Sequence, residues 1–207
     1  MKLKVYPKSP APRHIQQIVE TLQSGGVIIL PTDSVYAYAC MSTHPEAVKK
    51  LASLKGIPVE KARFSFVFSD MAMVAEYSKQ LSNDAFKLMK RLLPGPFTFI
   101  VNAGSEVSKI IPNKKTLGVR IPYNQIPLQV VKELGAPLLT TSVYDDDNIV
   151  EYTTDPDLIA RRHVKDVALI VDGGYGHNEA STVLDCTGDQ VVLIRQGLGE
   201  VEVEEVA

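Results

Sequence analysis

The stretch Gly25-Gly26-Val27-Ile28-Ile29-Leu30-Pro31-Thr32-Asp33-Ser34-Val35-Tyr36 constrains this chain more than any other. Two glycines close the helix before them, because glycine takes the left-handed backbone that ends helices at no steric cost. Val27, Ile28, Ile29 and Leu30 form a continuous apolar run, three of the four β-branched. Such a run suits a strand buried on both faces. Pro31 has no N–H to donate and stops the ladder. The strand therefore delivers Thr32, Asp33 and Ser34 to its carboxyl end, where open α/β sheets bind ligands. The same residue types also serve ordinary turns, so at this point both roles remain open.

Composition excludes more than it selects. A chain of 207 residues buries a full core without disulfides. A formal net charge of −2 gives no global pull toward nucleic acid or membranes, so any basic surface must be local. Cys40 and Cys186 lie far apart beside apolar runs. They predict buried free thiols and a reducing, cytoplasmic setting. The amino terminus, Met-Lys-Leu-Lys-Val, turns polar at once, unlike a signal peptide. No apolar run approaches the about 18 residues of a membrane span.

Strands and helices alternate along the chain. Residues 3–6 read as a strand, and Ile15, Ile18, Val19 and Leu22 as one face of a helix. Residues 36–40 read as a strand, and Thr43 with Glu46 as a capping box opening the next helix. Residues 64–68 form a strand with Phe64, Phe66 and Phe68 on one face. A helix over 83–93, strands over 97–101 and 117–121, a helix over 127–134 and a strand over 136–142 follow. Asp155-Pro156 starts a helix to Arg162, residues 167–172 make a strand, and 182–185 with 191–195 a closing antiparallel pair. This order predicts a single α/β domain, a twisted mixed sheet of parallel and antiparallel strands with helices packed on it.

Hydroxyl residues cluster at strand ends: Thr32 and Ser34, then Thr140, Thr141 and Ser142, then Ser181 and Thr182. They suit a small polar ligand or phosphate oxygens, and they also cap turns singly. Lys55, Arg120 and Arg195 lie in or beside apolar segments, and a buried cation needs an anion nearby. For Arg120 that anion is either a ligand or a protein carboxylate. Lys55 also fits a helix C-terminus, where it complements the dipole. The chain has no G-x-x-x-x-G-K-[ST], G-x-G-x-x-G or G-x-S-x-G motif, and His14, His44, His163 and His177 show no metal spacing. Asp145-Asp146-Asp147 reads as a solvated acidic loop. Lys87/Lys90/Arg91 and Arg161/Arg162/Lys165 read as wet helix faces that could also meet a phosphate backbone.

Beyond the opening stretch, five further segments stand in a familiar order: Leu93-Pro94-Gly95-Pro96-Phe97-Thr98-Phe99, Gly118-Val119-Arg120-Ile121-Pro122, Pro137-Leu138-Leu139-Thr140-Thr141-Ser142, Ser181-Thr182-Val183-Leu184-Asp185 and Ile194-Arg195-Gln196-Gly197. In them the chain resembles the YrdC/YciO-like family, whose best-understood members are threonylcarbamoyl-AMP synthases. The resemblance implies one YrdC-like domain over 1–207 with a concave basic face. It implies a reaction of threonine, bicarbonate and ATP, giving threonylcarbamoyl-AMP and pyrophosphate for tRNA modification. By the same resemblance Thr32 and Arg120 would hold threonine, with Thr141 and Thr182 lining its pocket. Lys55, Ser142 and Arg195 would face the nucleotide, Mg²⁺ would come with the ATP, and no permanent cofactor is expected.

Three departures point to the YciO-like branch. The K-x-R motif of the synthases is Lys55-Gly56-Ile57 here, their S-x-N is Ser142-Val143-Tyr144, and their Tyr-Gly step is Tyr36-Ala37. The first two fall where phosphates should bind, so weak or altered activity is expected. Arg63 is a candidate replacement for the missing arginine. The alternative is a non-catalytic protein that binds double-stranded RNA or tRNA.

Overall fold

The computed structural model describes residues 1–143 and 154–201. Its elements are β1 (Lys2–Lys4), α1 (Pro12–Gln23), β2 (Ile28–Leu30), β3 (Ala37–Met41), α2 (Pro45–Leu54), a short 3-10 helix (Val59–Lys61), β4 (Ser65–Val67), α3 (Met71–Tyr77), α4 (Asn83–Leu92), β5 (Phe97–Asn102), α5 (Ser105–Ile110), β6 (Thr116–Arg120), α6 (Gln125–Leu134), β7 (Leu138–Ser142), α7 (Pro156–His163), β8 (Leu169–Asp172), β9 (Thr182–Asp185) and β10 (Val192–Arg195). All strands join one sheet in the order β1-β8-β2-β3-β7-β4-β6-β5-β9-β10. β8 runs parallel to β1 and β2, β4 to β6, and β5 to β9. The other neighbours are antiparallel, including the closing pair β9–β10. The sheet is thus mixed, as the alternation of elements predicts. The acidic run at 145–147 lies outside the described residues.

Strand alternation sorts the core into two layers, one on each side of the sheet. Ile29, Tyr38, Cys40, Phe66, Leu139 and Ile170 belong to the larger cluster, with Phe64, Phe68, Phe97 and Phe99. Ile28, Leu30, Ala39, Val67, Leu138, Leu169 and Val171 belong to the smaller one. Such an alternation follows from the two-residue period of a strand. Buried residues of α2, α3, α4, α5 and α7 pack on the larger cluster. On the other face the buried helical residues, among those described, come from α1 and α6: Ile15, Ile18, Val19, Leu22, Ile126, Val130 and Val131. Burial pushes the thiols of Cys40 and Cys186 up to about 12, so both stay protonated and inert at neutral pH.

Two local details differ from the sequence reading. The cap of α2 is His44, not Thr43: Pro45 takes the first helical position, and the His44 ring nitrogen accepts from the Ala47 N–H at 3.4 Å. α3 and α5 escape the periodicity argument because each is short and buries one residue, Val74 and Val107. The opening glycines behave as expected. Gly25 has φ +83°, and the Gly26 N–H reaches back to the Thr21 carbonyl at 2.9 Å. A Cβ on Gly26 would stand 2.6 Å from that same carbonyl. Gly26→Ala should therefore cost about 1–3 kcal/mol through overpacking, read as a lower urea midpoint with an unchanged slope.

Candidate functional site

Among the described residues, α1 and α6 cover only part of their sheet face. Over the remaining part lies a cavity of about 820 Å³. Its floor is one face of the sheet, drawn from three register rows: Ala37 pairs with Ser142; Thr140 with Ser65, Ser65 with Gly118 and Gly118 with Ile100; Thr98 with Val183 and Val183 with Arg195. Thr116 and Arg120 continue the same side of β6. Residues directly opposite on neighbouring strands share a face, so these side chains rise together. Gly118 keeps the floor open, since a Cβ there would come 3.3 Å from both Ser65 and Thr98. Thr98 and Ser181 join hydroxyls at 2.7 Å, and the Thr140 hydroxyl donates to the Ser65 carbonyl at 3.1 Å. Among the described residues, the cations of the lining are Lys61, Arg63, Lys114, Arg120 and Arg195, and none of its residues is acidic.

Arg120 closes β6 with 7 % of its surface exposed. Its guanidinium donates to Asp33 at 2.6 Å and to the Ser34 hydroxyl at 3.0 Å. Asp33 also accepts the Tyr123 N–H at 2.7 Å. The protein carboxylate that the sequence left open is therefore present, and Arg120 still faces the cavity. Its Nε is buried with no hydrogen-bond partner among the described residues. Burial pulls Arg120 below its ordinary pKa, Asp33 pulls it back up, and Arg195 adds a smaller repulsion.

Of the expected site residues, Arg120, Thr141, Ser142 and Arg195 line the cavity. Thr141 alternates with Tyr38 onto the opposite row, so it belongs to the wall and not the floor. Arg195 donates to the Ser181 carbonyl at 2.8 Å. The other expected residues stand outside the lining. Thr32 builds the turn: its hydroxyl donates to Val35 O at 2.8 Å and accepts the Ser34 N–H at 3.0 Å. Thr182 pairs with Phe97 on the core side of β9, donates to the Gly199 carbonyl and accepts the Gly197 N–H. Lys55 caps α2, with its amine 3.4 Å from the Ser142 carbonyl.

Arg63, a candidate replacement in the sequence, does line the cavity. Ser65, Thr98, Thr116, Lys61 and Lys114 were missed. Ser65 between Phe64 and Phe66, and Thr98 between Phe97 and Phe99, carried a signal in their alternation. Lys61 and Lys114 lie in loops, where no periodicity marks them.

This arrangement is a mixed α/β sheet with a cation- and hydroxyl-lined cavity at a strand-end turn. The family model for Sua5, YciO and YrdC, described as telomere recombination, matches residues 20–197, and the chain belongs to that family. An uncharacterized Haemophilus influenzae protein is 38% identical over 199 residues, 94% of each chain. The uncharacterized Escherichia coli protein YciO is 36% identical over 201 residues, 96% of each. The crystal structure of YciO superposes with a TM-score of 0.88 over 98% of both chains. More distantly, a Vibrio campbellii threonylcarbamoyl-AMP synthase is 27% identical over 89% of this chain and all of its own length. The P. abyssi Sua5 structure complexed with L-threonine shares the fold at a TM-score of 0.82 and 22% identity, over 95% of this chain and 57% of that one.

Asp33→Ala should lower stability by about 3–5 kcal/mol, because it strands a buried guanidinium. Urea unfolding monitored by circular dichroism measures it.

Proposed function

We propose that the cavity binds threonine and ATP and joins them through bicarbonate as threonylcarbamoyl-AMP, in the cytoplasm, for tRNA modification. The observation that carries this reading is the lining: five cations set among hydroxyls, with no acidic residue among the described ones. A cationic wall disfavours a protonated amine and favours a neutral amine, a carbamate and phosphates. The threonine amine attacks the bicarbonate carbon and water leaves, giving the carbamate. A carbamate oxygen then attacks the α-phosphorus of ATP and pyrophosphate departs. The relatedness to the V. campbellii synthase supports this reaction class. The threonine complex of P. abyssi Sua5 supports the ligand.

In this scheme Arg120 takes the threonine carboxylate through the edge that Asp33 leaves open. Thr32 acts indirectly, by shaping the turn that holds Asp33 and Ser34. Thr141 borders the amino acid, and Thr182 fixes the closing turn behind it. Ser142 and Arg195 face the phosphates, with Lys55 at their edge. Mg²⁺ arrives on ATP, since the described lining offers no carboxylate to hold it. Catalysis is then positioning and charge neutralisation, without a dedicated acid or base. Ile57 in place of an arginine keeps the rate below that of the synthases.

Incubation with ATP, threonine and bicarbonate should release pyrophosphate and the adenylate only when all three are present. Arg120→Lys keeps the charge and loses the planar fork, so the KM for threonine should rise about tenfold or more. No product, together with salt-sensitive binding of double-stranded RNA or tRNA, would overturn the scheme in favour of a non-catalytic RNA-binding protein.

A further inference from the structure

The cations of the cavity fall at two ends. Arg120 stands at the carboxyl end of β6, with Arg195 near enough to repel it. Lys61, Arg63 and Lys114 stand before the amino ends of β4 and β6, which run parallel, so they gather at the opposite edge. Lys114 donates to the carbonyl of Ala62, the residue between Lys61 and Arg63, at 2.7 Å. Ala62 is fully buried, so this spacer is fixed in the core while the two flanking side chains are exposed. None of the three cations makes an ion pair among the described residues. Burial and the nearby Arg63 charge both push the Lys114 amine below its ordinary pKa. Like charges gathered on one wall, with no counter-charge among the described residues, repel one another, and a bound polyanion relieves that repulsion.

We propose that Lys61, Arg63 and Lys114 form a polyphosphate-binding wall that takes a linear triphosphate chain opposite Arg120. Lys61-Ala62-Arg63 restores, six residues on from Lys55, the basic-x-basic spacing that Ile57 interrupts. Lys114 uses one of its three protons on Ala62 and keeps the others for the ligand. Arg63 supplies a planar fork for two phosphate oxygens. The inference rests on the nucleotide reading only for the identity of the phosphate carrier; the wall itself is specific for the polyphosphate.

Inorganic tripolyphosphate is the direct probe, titrated calorimetrically into the whole chain and into Lys61→Met, Arg63→Met and Lys114→Met. Lys87→Met, on the exposed face of α4, is the control. Each wall substitution should weaken binding about tenfold or more, with the control within about twofold of wild type. Lys114→Met also removes the bond to Ala62, so its circular dichroism is checked, and the other two variants decide if it misfolds. Absence of tripolyphosphate binding by the wild-type chain, unchanged affinity in Lys61→Met and Arg63→Met, or an equal loss in Lys87→Met would overturn the inference. Pyrophosphate release from ATP that ignores Arg63→Met also overturns it and leaves the synthase reading intact. Wall-dependent tripolyphosphate binding in a chain with no turnover keeps it and removes that reading.

Discussion

The Arg120–Asp33 pair is the constraint on which the site depends. It ties the end of β6 to the turn after β2, although β3, β7 and β4 lie between those strands in the sheet. Both side chains are nearly buried, so neither charge survives there alone. A buried pair of this kind contributes little net stability against an apolar replacement, but losing one member is costly. Its value here is positional. Asp33 uses one oxygen on Arg120 and the other on the Tyr123 N–H, which orients the guanidinium and fixes the chain that leaves β6. The rest of the turn is set by Thr32, whose hydroxyl closes the loop onto Ser34 and Val35.

Unequal helix cover provides the space. Among the described residues, buried side chains of five helices pack on one face of the sheet, and those of two, α1 and α6, on the other. An apolar strand face left bare would be a liability in water. The uncovered rows carry Ser65, Thr98, Thr116, Thr140 and Ser142 in place of the Ile, Leu and Val found under α1 and α6. The hydroxyls hydrate that surface, and the surrounding cations give it one sign of charge. A floor of small polar groups beneath a cationic rim is thus a consequence of where the helices stop.

Kinship with YciO covers nearly the whole chain, whereas the synthases are more distant. In the proposed scheme the difference falls on the phosphate side. Ile57 stands where the synthase motif has an arginine, Lys55 stands outside the lining beside Ser142, and Lys61, Arg63 and Lys114 line the cavity. Arg120 and Ser34 keep the polar surroundings of the proposed threonine side.

The sequence by itself determined the order of every strand and of the longer helices, the buried strand 27–30, the stop at Pro31 and the mixed pairing, because apolar period, proline and glycine act through local backbone physics. It also marked Arg120, Ser142 and Arg195 as polar residues set among apolar neighbours. It could not tell Thr182 from Val183, since adjacent strand residues differ only in which face they meet, and that is settled by pairing with Phe97 and Thr98. Nor could it separate a ligand-binding Thr32 from a turn-forming one, because the same hydroxyl serves both. Only the tertiary structure decided that Asp33 reaches Arg120. It also brought two loops, remote in sequence, to one wall through the parallel pairing of β4 and β6. These are long-range contacts, and no local pattern encodes them.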